Sequence, residues 1–470
     1  MTENQTTDSS FPEVLVVGLG RSGLAAVRWL LRQGLRVAVS DIRPAAQMHD
    51  LRRELEAAGV KDFEFGGHSA AFFIRCRRIV VSPGVPLELP VFAAARAAGG
   101  EIIGEVELAA RYCGCPLLAL TGTNGKTTSI TMLGEIFAAA GINAFVGGNI
   151  GRPAVEMIGG NFAAGVLELS SFQLESMDSF RPQVAVILNL TPDHQDRYPA
   201  AAAYLEAKTE ICRRQRRSDY LILNQDDTAL ADFGHRLVRE REAGAERPAI
   251  LFFSLSHEVD LGAAWLRDEI VIKLPRPDGT IVCHRRPAFS LRLPGAHNRA
   301  NALAVLLAAL VWGVDESIAV QVLTGFSGIA HRLEYVGCRS GVNYYNDSKA
   351  TNIDAVLKAL ASFTQPLVLL LGGYDKGADF TLLRDFLSGN LRCLIPFGQA
   401  ATTIARQLPE LCAGDGAEKL APALDLARQN ARPGDVVLLA PGCASFDEFK
   451  NYEERGDCFR RLVQNLEDAG

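Results

Sequence analysis

The stretch Cys115-Pro-Leu-Leu-Ala-Leu-Thr121-Gly-Thr-Asn-Gly-Lys-Thr-Thr128, followed by Ser129-Ile-Thr-Met-Leu-Gly-Glu-Ile-Phe137, passes from an apolar strand through a glycine-rich turn into a helix. Small residues in such a turn let backbone N–H groups approach phosphate oxygens, and the helix N-terminus adds partial positive charge. A lysine at position 126 reaches the terminal phosphates, and the Thr127 hydroxyl is placed to ligate Mg²⁺. The spacing departs from the usual pattern, because Leu120 stands where the first glycine would be. What remains is Gly122-x-x-Gly125-Lys126-Thr127. A plain turn would not require Gly-Lys-Thr-Thr between these two elements. The segment reads as an ATP site, with Gly122, Thr123, Asn124, Gly125, Lys126, Thr127 and Thr128 as its contacts.

A chain of 470 residues is too long for one core, so roughly two to four domains are expected. The hydrophobic fraction of 48% and the charged fraction of 22% are those of an ordinary globular protein. A net charge of −6 argues against a nucleic-acid binder that relies on a broad basic surface. Anionic ligands must then be held by local cations and backbone dipoles. The 10 cysteines are scattered singly apart from Cys113-Gly-Cys115, so buried thiols are expected rather than a zinc or disulfide framework. The polar first ten residues show no signal peptide, and the longest apolar run, Ala302 to Val314, is too short to span a bilayer. A cytoplasmic protein without membrane insertion is expected.

Working outward from the loop, three αβ blocks follow one another. The first opens with Glu13-Val-Leu-Val-Val-Gly-Leu-Gly-Arg-Ser-Gly-Leu24, continues to the strand Arg36–Asp41 and the strand Arg78–Ser82, and closes near Gly104. The second, from Glu105, has further strands at 164–169, 183–189 and 219–224, then a small antiparallel addition between about Ile250 and Leu293. Helices from Asn298 and Asp315 complete it, and Asn298 could serve as N-cap of the first. The third, from Ile329, has clear strands at 366–371 and 435–440. The expected fold is α/β in three domains, 1–104, 105–328 and 329–470. The outer two are Rossmann-like, and the central one is of the P-loop ATPase type.

Several polar groups fall where such strands end. Gly18-Leu-Gly20-Arg-Ser-Gly23 opens a helix, and Asp41 ends the next strand, so a pyrophosphate and a ribose hydroxyl are natural ligands. Glu168, beside the phosphate loop, is placed to hold Mg²⁺ rather than to be a solvated strand end. His194, in Asp193-His194, shares that edge. Lys208 sits on a helix and by itself reads as a surface charge. Asn298 and Asn301 offer amides to an adenine, and Arg332 offers a phosphate clamp. Asn346-Asp-Ser-Lys-Ala-Thr-Asn352, Gly372-Gly-Tyr-Asp-Lys376 and Pro441-Gly-Cys-Ala-Ser445-Phe446 carry donors that suit a small dicarboxylate.

Together these segments resemble the Mur ligases of bacterial peptidoglycan synthesis. The likeness runs over nearly the whole chain in the family's order, with Gly147-Gly-Asn-Ile-Gly151, Glu168-Leu-Ser-Ser-Phe-Gln-Leu-Glu175, His297-Asn-x-x-Asn301 and His331-Arg332 among its motifs. Asn346–Asn352 looks specific to the glutamate-adding branch. The resemblance implies that ATP phosphorylates the carboxylate of UDP-N-acetylmuramoyl-L-alanine and that D-glutamate attacks the acyl phosphate. It implies two Mg²⁺ ions, with Thr127, Glu168, His194 and a carbamylated Lys208 as ligands, and Lys126, Glu168, His194 and Lys208 as the catalytic set. It implies UDP-substrate contacts at Gly20, Arg21, Ser22, Asp41, Arg43, Ser82, Gly84, Asn149 and His194. Asn298, Asn301, Arg332, Asp347 and Lys349 match nucleotide positions, and Thr351, Lys376, Ser445, Phe446 and Tyr452 match the D-glutamate pocket. Small molecules are the only partners implied, a monomer is expected, and domain closure on ligands follows from sites drawn from three domains.

Two rivals fit less of the chain. An NAD-dependent oxidoreductase built on Gly18-x-Gly20-x-x-Gly23 leaves the Thr121–Thr128 loop unexplained. Folylpolyglutamate synthetase, on the same scaffold, lacks the first block.

Overall fold

The computed structural model describes residues 12–191, 197–198, 200–276, 278–375, 377–387 and 389–466. Their strands form three sheets. In the first, β1 (Val14–Val17), β2 (Val37–Asp41), β3 (Asp62–Phe65), β4 (Arg78–Val81) and β5 (Glu101–Gly104) lie in the order β3-β2-β1-β4-β5, all parallel. β1 is apolar throughout because both faces of a parallel sheet are covered. Its alternation sends Val14 and Val16 into a layer with Trp29 and Leu30, and Leu15 and Val17 into one with Phe73 and Phe92. Strand order reverses between β1 and β4, and the turn at Gly18 sits at that switch point.

The second sheet contains β6 (Leu117–Thr121), β7 (Ala144–Gly148), β8 (Ala164–Glu168), β9 (Val184–Ile187), β10 (Tyr220–Asn224), β11 (Ala249–Ser254), β12 (Gly262–Leu266), β13 (Glu269–Pro275) and β14 (Ile281–Pro287). Their order is β14-β13-β12-β11-β10-β9-β6-β8-β7. The antiparallel addition expected from residue 250 is smaller than its sequence suggests. β11 and β12 still run parallel to β10; β13 reverses, and β14 turns back again. β11 is buried over nearly its whole length, so it extends the main sheet rather than starting a separate one. The first two sheets are tied through the helix Glu105–Tyr112. Its Glu107 carboxylate accepts from the backbone N–H groups of Asp178, Ser179 and Phe180 at 3.0–3.1 Å, and from Arg111 at 2.7 Å.

The third sheet orders β15 (Glu334–Arg339), β16 (Val342–Asn346), β17 (Leu367–Gly372), β18 (Leu391–Phe397) and β19 (Val436–Gly442) as β15-β16-β19-β17-β18, with β15 antiparallel to β16. By packing, the chain divides into two compact units. One runs up to Ala288 and includes Ala300–Val322, and the other joins Phe289–Arg299 to the chain from Leu323 on. The segment 289–299 belongs with the third sheet because Tyr345 donates its hydroxyl to Arg292 O at 2.9 Å. The helix expected from Asn298 starts earlier, at Ala296. Asn298 is therefore not its N-cap, and its Nδ2 donates back to Pro294 O at 2.6 Å.

Gly23 shows how tightly the first turn is packed. A Cβ there would lie 1.9 Å from Gly18 O, a backbone atom that cannot step aside. Gly23→Ala is expected to destabilise the chain by about 3 kcal/mol. The measurement is the urea midpoint, and an unchanged midpoint would contradict the packing described.

Candidate active site

Parallel strands deliver their C-terminal ends to one edge, and on the second sheet β6 delivers Gly122. The loop enters the helix Lys126–Ala139 through Gly125, which has φ 82° and serves as N-cap without a side-chain cap. First-turn N–H groups lack intrahelical acceptors, so this end is suited to an anion. Only glycine fits at 125, because a Cβ would sit 2.5 Å from the Asn301 amide oxygen. Asn301 is buried and packs its amide against the loop, which ties an expected nucleotide residue to the phosphate segment.

The loop is held from below by the end of β9. Thr123 N donates to Asn189 O at 3.1 Å, Asn124 N to Asn189 Oδ1 at 2.8 Å, and Asn189 Nδ2 to Asn124 O at 3.0 Å. The Thr123 hydroxyl lies 3.3 Å from the Tyr204 hydroxyl. Lys126 Nζ donates to Gly122 O and Thr123 O, both at 2.8 Å. Lys208 Nζ donates to that same Gly122 O at 3.0 Å and lies 4.6 Å from the Tyr204 ring centroid. Lys208 is thus no surface charge: it is 1% exposed. Its helix, Ala201–Thr209, turns that face toward the loop.

Glu168 ends β8, one strand from β6 and in register with Leu120. It is 1% exposed, not a solvated strand end. Oε1 accepts from Asn149 Nδ2 at 3.1 Å, and Oε2 is buried with no hydrogen-bond partner among the described residues. A buried carboxylate oxygen left unpaired is costly unless something cationic meets it. That orphan oxygen, beside a phosphate loop, fits a hard divalent cation. Among the described residues no cluster of three or more His, Cys, Asp or Glu could hold a metal by itself. Asp193 and His194, like Lys376, lie outside the described residues.

On the first sheet, Asp41 organises the turn. Its Oδ2 accepts from Leu19 N and Arg43, each at 2.7 Å, and its Oδ1 from Arg43 N at 2.9 Å and Arg43 Nε at 2.8 Å. Burial pushes this carboxyl up, but the Arg43 and backbone hydrogen bonds outweigh it and hold the pKa at about 2. Both oxygens are committed, and they fix the Arg43 guanidinium at this edge. The Ser82 hydroxyl donates to Gly18 O at 2.7 Å. Gly20, Arg21 and Gly84 are exposed along this edge and Ser22 is half-buried.

In the second unit, His331 (φ 63°) and Leu333 (φ 43°) flank the exposed Arg332. Asp347 accepts from Leu333 N at 3.2 Å, and burial pushes its carboxyl up to about 6. Lys349 is exposed, with Nζ 5.9 Å from the Tyr452 ring centroid. Asn352 caps the helix Ile353–Leu360, accepting from Ala355 N at 2.8 Å. Ser445 is buried, Thr351 half-buried, and Phe446 exposed with its ring 6.4 Å from that of Tyr374.

Family models match the chain in three consecutive pieces. They are a Mur ligase MurD-like N-terminal domain at residues 12–104, a Mur ligase middle domain at 120–309 and a Mur ligase glutamate ligase domain at 331–443. The UDP-N-acetylmuramoylalanine–D-glutamate ligase of Geotalea uraniireducens is 41% identical over 97% of this chain and 98% of its own. That of Acidobacterium capsulatum is 43% identical over 96% of each. The chain belongs to the Mur ligase family. A solved structure of MurF from Acinetobacter baumannii, 20% identical, shares the fold with a TM-score of 0.51 over 83% of this chain and 91% of that one.

Several residues that build this Mur ligase site escaped sequence reasoning. Asn189 and Tyr204 brace the loop, and only the position of Asn189 just after an apolar strand signals it. Ser348 and Arg455 form a buried pair, Nε to Oγ 2.9 Å, and nothing in the charged run around Arg455 marks it. Asp347 carries a stability consequence. Ionising it costs more in the folded chain than in the unfolded one, so stability is intact below the ordinary carboxylate pKa and declines as pH rises through about 6. Asp347→Asn is expected to stabilise the fold by about 2 kcal/mol near pH 8 and by under about 1 kcal/mol near pH 4.5. Urea unfolding at both values checks this; a variant no more stable than the parent near pH 8 contradicts it.

Proposed function

We propose that this chain is the ATP-dependent ligase that joins D-glutamate to UDP-N-acetylmuramoyl-L-alanine in the cytoplasmic assembly of the peptidoglycan precursor. The observation that carries the reading is 41% identity, across 97% of the chain, to a ligase of that name. Residues 1–104 take the UDP-linked substrate, 105–328 take ATP, and 329–470 take the amino acid. Asp41, with both oxygens on Arg43 and Leu19, leaves an NAD-dependent oxidoreductase without its ribose acceptor.

In this reading the γ-phosphoryl group passes to the alanine carboxylate, giving an acyl phosphate and ADP. The amine of D-glutamate attacks the acyl carbon, and the tetrahedral intermediate collapses to the amide and inorganic phosphate. The chain's part is in-line placement and neutralisation of phosphoryl charge. First-turn N–H groups, Lys126 and Thr128 face the phosphates. Asn298, Asn301, Arg332, Asp347 and Lys349 take the rest of the nucleotide. Arg43, presented by Asp41, joins Gly20, Arg21, Ser22, Ser82, Gly84 and Asn149 on the UDP-linked substrate. Thr351, Lys376, Ser445, Phe446 and Tyr452 hold D-glutamate.

Mg²⁺, when bound, screens charge on the phosphate oxygens. Thr127, Glu168, His194 and a carbamylated Lys208 would hold two such ions. The carbamate forms when the Lys208 amine attacks CO₂ with loss of a proton. Two ammonium groups donating to one carbonyl, Gly122 O, repel each other, and carbamylation replaces that repulsion with attraction.

Phosphate release by the purified chain is expected to require ATP, the UDP-linked substrate and D-glutamate together. Release that ignores D-glutamate, or runs equally well with L-glutamate, refutes the assignment. Lys126→Ala should lower kcat by about 10²–10³-fold, as for loss of one charge-stabilising group. Lys208→Ala should be crippled and partly restored by acetate. A fully active alanine variant at 208 removes the carbamate from the mechanism.

A further inference from the structure

The helix Tyr452–Gln464 carries an arginine in its first turn that is 1% exposed. The Arg455 guanidinium spends its donors on uncharged oxygens. Nε donates to Ser348 Oγ at 2.9 Å, and one terminal nitrogen donates to Ala444 O at 3.0 Å. The other donates to Ser348 O at 2.9 Å and Cys443 O at 3.1 Å. Among the described residues no carboxylate pairs with it. Asp447 and Glu448, the nearby acids, are turned to other groups: Asp447 accepts from Gln399 N at 3.0 Å and Glu448 from Leu420 N at 2.9 Å. Burial pulls the guanidinium down to about 10.

Its contacts are not scattered. Ser348 lies just beyond β16, and Cys443 and Ala444 just beyond β19, which are neighbouring parallel strands. Ala444 O also accepts from Tyr374 N at 2.9 Å, which brings in the segment beyond β17. Ser348 Oγ donates to Tyr452 O at 2.8 Å, closing the ring back onto the arginine's own helix. The same segments carry Thr351, Ser445, Phe446 and Tyr452. A planar fork with fixed donors suits this task in a way a lysine does not.

We propose that Arg455 is the positioning residue of the acceptor pocket, fixing the ends of β16, β17 and β19 and lending the pocket a buried positive charge that the dicarboxylate acceptor balances. The inference rests on the D-glutamate reading above and adds a residue to it. Arg455 touches no substrate in this scheme and acts through Ser348, Ala444 and Tyr374.

Steady-state kinetics of the full chain, with each of the three substrates varied in turn, test it in Arg455→Gln and Arg455→Lys. Loss of the fork and charge in the glutamine variant should raise KM for D-glutamate by about 30-fold or more. KM for ATP and for the UDP-linked substrate should stay within about 3-fold, because those groups bind elsewhere. The lysine variant keeps charge but not the fork, so its KM for D-glutamate should rise by about 10-fold. If the glutamine variant fails to fold, judged by its melting curve, the lysine variant decides. A KM for D-glutamate unchanged in the lysine variant overturns the proposal, as does an equal rise for all three substrates or a fall in kcat alone. Wild-type turnover that ignores D-glutamate refutes the pocket itself, whereas D-glutamate-dependent turnover with unaltered variants refutes only the role of Arg455.

Discussion

A parallel strand has a direction, and a sheet of such strands gathers all their carboxyl ends along one edge. Nearly every chemical group in this chain obeys that constraint. Gly18, Asp41 and Ser82 stand at the ends of β1, β2 and β4. Gly122, Glu168 and Asn189 stand at those of β6, β8 and β9, and Asp347, Gly373 and Cys443 follow β16, β17 and β19. The apolar cores could be repacked with other aliphatic residues and keep the fold. The edges cannot be rearranged so freely, because their loops are held by backbone hydrogen bonds to neighbouring strand ends, as Asn189 holds the phosphate loop.

Along these edges charge is buried in forms that a merely stable protein would avoid. Among the described residues Glu168 keeps an oxygen without a partner and Arg455 has only neutral acceptors, while Asp347 is pushed up by burial. Other buried carboxylates differ: Glu105 Oε2 also has no partner among the described residues, whereas two more are met by several donors. Glu107 collects three backbone N–H groups and Arg111, and Asp435 receives Arg392 and Arg432 N. A buried polar group without a partner calls for a reason, and at Glu168 the proposed cation would supply it.

The α/β class and the strongest strands were legible because buried parallel strands are continuous apolar runs, as in Val14–Val17 and Leu367–Leu371. Strands that were missed carry opposing signals. β18 contains Arg392 and Pro396, which read against a strand, and it is tolerated as the edge of its sheet. β16 mixes two asparagines with two tyrosines, and β15 is bulged between Tyr335 and Gly337. The start of the helix at Ala296 was misplaced because Asn298 offers a cap signal, yet its amide bonds backwards to Pro294.

Site residues divide along a similar line. Lys126 was legible because a local pattern fixes both its loop and its helix. Lys208 was not, since a lysine in a short helix announces nothing about which face the tertiary structure will cover. The resemblance implies its role, and the structure shows it buried against the phosphate loop. Its ammonium is driven to the carbonyl that Lys126 already uses, in a place 1% exposed. The proposed carbamate would turn one of the two ammonium groups that share this acceptor into an anion. In the proposed scheme Lys126 keeps its charge for the phosphates.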